Sequence, residues 1–294
     1  MKKKSIPELD KLFQEIGTYR KTKEFKELLD FVKKFPKIAP FNAMLLHIQK
    51  PGSNYVTSAA EWQNTFERLI KPEARPMVIL RPFGPVSFVF DLSDTYGDKP
   101  FPKELLDPFG VEGKISDVEF KRMIRNLKCD GILYSKADFG TDMAGMICNS
   151  AGGRETKIQN PTKEVWVKVL YDMVVNKNNE VETRFVTVLH ELGHLYCGHL
   201  GSPDLKWWDD RRGLHKNERE FEAECVCWLV CERKGINNPS AAYLNDYLEN
   251  NEYIPDISTD TILKAVSIIE SMINEKKNPR KEIISKTVEL KKAD

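Results

Sequence analysis

The stretch Thr183–Tyr196, TRFVTVLHELGHLY, places more demands on the fold than any other part of the chain. It combines helical apolar spacing (Phe185, Val186, Val188, Leu189, Leu192, Leu195) with an HExxH array, His190-Glu191-Leu192-Gly193-His194. Four residues turn a helix by about 400°, so both imidazoles leave one face, a turn apart. From there two ring nitrogens reach a single Zn²⁺ at roughly 2.0–2.1 Å. Glu191 lies beside that face, where a carboxylate can take the proton of metal-polarised water. The competing reading is a buried helix whose two histidines only make hydrogen bonds.

A hydrolytic zinc site needs a third protein ligand and an open fourth position. Three candidates follow the array. His199 comes first, but the astacin-like pattern wants Gly three and His six residues past the second histidine. Here Gly198 and His199 fall at four and five, so that pattern fails. His215 lies in a charged, Trp-rich loop without a supporting pattern. The third candidate is the segment Asn217–Val230, NEREFEAECVCWLV, which reads as a second helix with Glu220 and Glu224 one turn apart. A Glu from a facing helix is the third ligand of thermolysin-type enzymes. The expected ligand is therefore Glu220, with Glu224 orienting a histidine from behind and Glu222 pointing elsewhere. A solvated acidic face is the plain alternative for these glutamates. Tyr196 and His215 are candidate donors to an oxyanion.

These residues resemble the ImmA/IrrE family of metallopeptidases and the peptidase half of ArdC-type antirestriction proteins. The likeness rests on a hairpin, Thr187-x-x-His190-Glu-Leu-Gly-His194, a loop of some twenty-five residues, and Glu220-Phe221-Glu222-Ala223-Glu224. It implies that the two histidines and Glu220 bind one Zn²⁺ per chain and that Glu191 is the general base. It covers residues 114–294 well and the earlier part more loosely. The last motif position is Glu, as in the ArdC group, where much of the wider family has Asn or Asp.

Composition sets the outer limits. At 294 residues the chain has room for one large or two ordinary domains. Net charge is +1, yet residues 1–81 hold 16 Lys/Arg against 9 Asp/Glu and the remainder is acidic. That asymmetry makes an acidic or nucleic-acid partner more plausible for the first part. No apolar run follows Met1-Lys2-Lys3-Lys4, so a signal peptide is not expected, and no stretch is apolar enough to span a membrane. The six cysteines form no secreted framework and read as buried thiols of a cytoplasmic protein.

In chain order, residues 5–35 read as one or two amphipathic helices stopped by Pro36, and Asn42–Gln49 as another. Ser58 and Glu61 form a capping box for a helix over Ala59–Ile70. Met77–Leu80 and Ser87–Phe90 predict a hairpin. Phe41–Leu46, Gln49, Trp62 and Val89–Thr95 resemble the N-terminal domain of ArdC-type proteins, which implies single-stranded DNA binding. The family's basic turn is replaced here by Lys71-Pro72-Glu73-Ala74-Arg75-Pro76. A DNA groove needs cations and stacking aromatics, for which Lys50, Lys71, Arg75, Arg81, Tyr55 and Trp62 are the candidates. The turn-rich segment 96–113 predicts a linker.

Beyond it, Ser116 caps a helix over Asp117–Leu127, and strands are expected at 131–135, 143–148 and 157–159. Glu164–Val175 gives conflicting strand and helix signals. Helices at 240–250 and 258–273 and a charged, frayed tail from Glu275 complete the chain. The expectation is an α+β protein. A helical N-terminal domain with a small hairpin (1–112) precedes a zincin-like domain (113–294) built from a small sheet, the HExxH helix and the Glu helix. The implied activity is a zinc-dependent endopeptidase of HExxH/Glu type acting on an intracellular regulatory protein, with a link to antirestriction biology. The alternative is a catalytically silent zinc fold that binds single-stranded DNA or protein.

Overall fold

The computed structural model describes residues 21–81, 86–102, 114–139, 143–159, 162–236, 238 and 241–289. Its helices are α1 (Thr22–Lys33), α2 (Pro40–Gln49), α3 (Ala59–Phe66), α4 (Asp117–Leu127), α5 (Val181–Tyr196), α6 (Lys216–Arg233), α7 (Ala241–Asn250) and α8 (Thr259–Asn274). The strands are β1 (Val56–Thr57), β2 (Leu69–Ile70), β3 (Met77–Leu80), β4 (Val86–Asp91), β5 (Thr95–Tyr96), β6 (Ile132–Ala137), β7 (Gly145–Asn149), β8 (Glu155–Gln159), β9 (Lys163–Lys168), β10 (Tyr171–Asn176) and β11 (Ile284–Glu289). The protein is thus α+β, with helices stacked against small sheets ordered β1-β4-β3, β6-β10-β7 and β11-β9-β8. Among the described residues no helix is long and apolar enough to cross a membrane.

The apolar stripe of α5 is buried throughout, and the second half of α6 is buried on every side, from Cys225 to Cys231. A helix apolar all round belongs in the middle of a core. Accordingly α6 packs against α5 and α8, and α1 and α7 lie against it as well. One hydrophobic cluster runs from Phe25 through Met44, Leu127, Leu189 and Val226 to Ile273. The helices of the first hundred residues therefore share a core with those of the last hundred. Arg233, at the end of α6, ties them. Its guanidinium donates to the carbonyls of Val32, Phe35 and Ile38 at 2.8–2.9 Å and pairs with Glu270 at 2.7 Å. The boundary expected at residue 112 lies outside the described residues, as do the first helix before residue 21 and the hairpin turn at 82–85.

Several elements differ from their sequence reading. The helix capped by Ser58 ends at Phe66, because Glu67 adopts a left-handed conformation (φ 53°) and the chain turns into β2. The ambiguous Glu164–Val175 segment is two strands, β9 and β10, belonging to different sheets. The tail expected to fray instead pairs, as β11, along β9, with Ile283 buried beneath it. Its Lys286 and Glu289 face solvent along a sheet edge, and charged side chains are one way edge strands avoid further pairing. Cys148 is exposed, whereas the other five cysteines are buried.

Candidate metal centre

Helices α5 and α6 cross where Gly193 meets Ala223, so closely that a Cβ on Gly193 would stand 2.9 Å from the Ala223 Cα. That approach lets the first turns of α6 bring two carboxylates over the histidine face of α5. His190 Nε2 and His194 Nε2 are 3.2 Å apart. Glu220 Oε2 lies 3.6 Å from the first and 3.5 Å from the second. The edge of a tetrahedron around a metal with 2.0–2.1 Å bonds is about 3.3–3.4 Å, so all three separations fit a shared ion. The expected trio thus converges, in an N/N/O donor set that suits a divalent metal.

The remaining carboxylates surround it. Glu224 Oε1 sits 3.4 Å from His190 Nδ1, and its other oxygen is buried without a hydrogen-bond partner. Burial works against protonating His190, but the hydrogen bond and charge of Glu224, with the charges of Glu191 and Glu220, raise its pKa. His194 is pushed the other way, to about 3, by burial and by the neighbouring His190, His199 and Arg219. Burial raises the Glu191 carboxyl against the opposing effects of His190 and of the nearby Ile147 backbone N–H. Ile147 belongs to β7, an edge of its sheet, which pairs antiparallel with β10. In such a ladder alternate residues turn their backbone groups away from the partner. Strand β7 packs against α5, so this sheet edge lies next to the helix that carries Glu191.

A second grouping, Cys197, His199 and Glu222, is fully buried behind His194. The sequence reading set Glu222 aside as pointing elsewhere on its helix, and it does point away from the trio. It is nevertheless one of the most connected side chains here. Its oxygens accept two bonds of 2.6 Å from Arg211, one of 2.8 Å from His199 Nε2 and one of 2.8 Å from the Ser258 N–H. With both oxygens occupied, this carboxylate is no free ligand. His199 is likewise no third ligand, since its ring turns towards His194 Nδ1 at 3.0 Å.

The oxyanion candidates fall elsewhere. Tyr196 is two residues past His194, hence on the far side of α5, and its buried hydroxyl donates to Asp130 at 2.7 Å. His215 is the exposed N-cap residue of α6, and its backbone N–H donates to Glu218. Trp207 and Trp208 cover the core: Trp208 donates to the Gly201 carbonyl, and the Arg280 guanidinium lies 4.4 Å over Trp207.

Of the candidate DNA contacts, Lys50 is bound by Asp94 at 2.7 Å and Ser93 at 2.8 Å, and Lys71 donates to the Ser93 carbonyl. Arg75 and Arg81 are exposed. Trp62 is fully buried in a cluster with Tyr55, Phe66 and Phe101, which removes it as a stacking platform. Compared with protein-family models, with curated proteins and with solved structures, the chain gives no match in any of the three.

Proposed function

We propose that this chain is a zinc-dependent endopeptidase in which His190, His194 and Glu220 hold the metal and Glu191 is the general base. The observation that carries the reading is the convergence of those three donors at tetrahedral spacing, with the half-buried Glu191 carboxylate on the same helix as the two histidines. A zinc ion in such a site supplies Lewis acidity towards a carbonyl and makes water a better proton donor. Glu191 takes a proton from the water as its oxygen bonds to the scissile carbonyl carbon, and delivers it to the departing amine nitrogen as the C–N bond breaks. The outward edge of β7 offers an extended peptide a strand to pair with, directly beside Glu191.

The motif spacing that resembles ImmA/IrrE and ArdC-type peptidases supports the same class, with an intracellular regulatory protein as substrate. For the N-terminal part, the binding of Lys50 by Asp94 and the burial of Trp62 favour a supporting role in the shared core over a DNA groove. The test is a comparison of wild type and Glu191→Gln, both zinc-loaded, incubated with a cell-extract proteome whose new N-termini are then sequenced. New termini in the wild-type sample alone are expected, with the variant slowed about 10²–10⁴-fold. Identical termini in both samples would overturn the peptidase reading.

A further inference from the structure

A metal-binding imidazole has two nitrogens, and the proton on the one away from the metal decides whether the other can bind at all. For His190 the rear nitrogen faces a carboxylate directly, Glu224 at 3.4 Å. For His194 it faces another histidine. His194 Nδ1 is 3.0 Å from His199 Nδ1, His199 Nε2 is 2.8 Å from Glu222 Oε2, and the side chains of His199 and Glu222 are 1% and 0% exposed.

The local chain geometry produces this contact. Helix α5 ends with Gly198 in the left-handed region (φ 80°), the Gly198 N–H bonding the Leu195 carbonyl and the His199 N–H the His194 carbonyl, each at 3.0 Å. This is a Schellman ending, in which the residue after the glycine folds back over the residue five positions earlier. Here those two residues are His199 and His194. The Gly-His pair that breaks the astacin-like spacing therefore lays one imidazole against the rear of another.

For neutral imidazoles the proton positions follow in one direction. Glu222 receives a bidentate guanidinium from Arg211 and a backbone N–H from Ser258, so towards His199 it is an acceptor. His199 must then carry its hydrogen on Nε2 and offer Nδ1 as a lone pair. Two nitrogens at 3.0 Å in a buried pair need one hydrogen between them, so His194 carries its own on Nδ1. That leaves His194 Nε2 as a lone pair aimed at His190 Nε2 and Glu220 Oε2.

We infer that Glu222 fixes the tautomer of the metal ligand His194 through His199, so that Arg211, Glu222 and His199 form a buried relay of positioning residues behind that ligand. The inference rests on the zinc reading above only for its consequence; the proton pattern itself belongs to the metal-free chain. Glu222 also holds the loop carrying Arg211 and the first residue of α8's cap, so the relay anchors His194 to two further segments.

Two measurements test it. Long-range ¹H–¹⁵N correlation on histidine-labelled, metal-free protein should show His199 with its hydrogen on Nε2 and His194 with its hydrogen on Nδ1. The opposite tautomer at either ring overturns the relay. Chelator competition with Zn²⁺ alone should then give His199→Phe an affinity about 10–100-fold below wild type, the loss typical of a missing partner behind a ligand. His199→Gln, whose amide oxygen can accept from His194 while its NH₂ donates to Glu222, should recover most of it. A merely structural role would leave both variants alike. Equal zinc affinity in wild type and His199→Phe contradicts the relay. Absence of zinc binding by wild type contradicts instead the metal reading, and the spectrum of the metal-free chain still decides the relay. Should His199→Phe fail to fold, the wild-type spectrum and His199→Gln decide.

Discussion

Gly193 stands between the two histidines of the array, and two opposing effects meet there. Replacing a glycine inside a helix by alanine gains about 1 kcal/mol of helix propensity. Against it, the new methyl would press on the Ala223 backbone at 2.9–3.0 Å, and overpacking costs about 1–3 kcal/mol. Packing should win, because the listening partner is backbone and cannot rotate away. Gly193→Ala is expected to lower unfolding free energy in urea and to weaken zinc binding, since α6 carries Glu220. A more stable variant would mean that the helices do not cross as closely as described. At this scale the sequence was informative: the spacing of His190, His194, Glu220 and Glu224 already indicated their convergence. Tyr196 misled because proximity in sequence says nothing about the side of the helix, which a turn of about 200° for two residues reverses.

At the scale of elements, helix caps and alternation announced most of the secondary structure, as with Ser116 and Glu119, whose reciprocal bonds open α4. What stayed hidden depended on partners distant in sequence. β11 reads as a charged tail because only its pairing with β9 reveals that Ile284 and Val288 are half-buried. Nothing in the local sequence marks Arg233 for its task, because its acceptors lie about 200 positions away at the end of α1.

Asp91 shows a further case, in which a motif read for its resemblance has a structural task. Its carboxylate accepts the N–H groups of Asn54, Tyr55 and Ser93 and so fixes the turn after β4. Burial alone would raise its pKa, but these bonds outweigh it and hold the group below its ordinary 3.8. A depressed carboxylate contributes stability above its unfolded value and loses it as pH falls through the folded one. Asp91→Asn should therefore cost about 2–3 kcal/mol at pH 7, and less in strongly acidic solution, where wild type loses the same charge. Urea unfolding of both proteins across that range checks the sign; a gap independent of pH would contradict it.

For the whole molecule, the consequence of a shared core is mechanical. Phe25, Met44 and Val226 belong to one cluster, and Arg233 is buried against α1. A protease site introduced between residues 103 and 113 and then cut should leave two fragments that travel as one particle in size-exclusion chromatography. Fragments that separate without denaturant would show that the two parts have independent cores. The division into residues 1–112 and 113–294 expected from the sequence rests on the turn-rich composition of 96–113. Turn-rich composition marks where a chain can be interrupted, but not whether the pieces on either side face each other.

The central claim is a zinc ion held by two histidines of one helix and a glutamate of the next. It is tested most directly by the metal content of wild type, Glu191→Gln and Glu220→Ala, purified in parallel and measured by inductively coupled plasma mass spectrometry. The account predicts about one zinc per chain in the first two and little in the third, because a hydrolytic site of this kind has only three protein ligands to lose. Zinc retained by Glu220→Ala at the wild-type level, or absent from wild type itself, would contradict it.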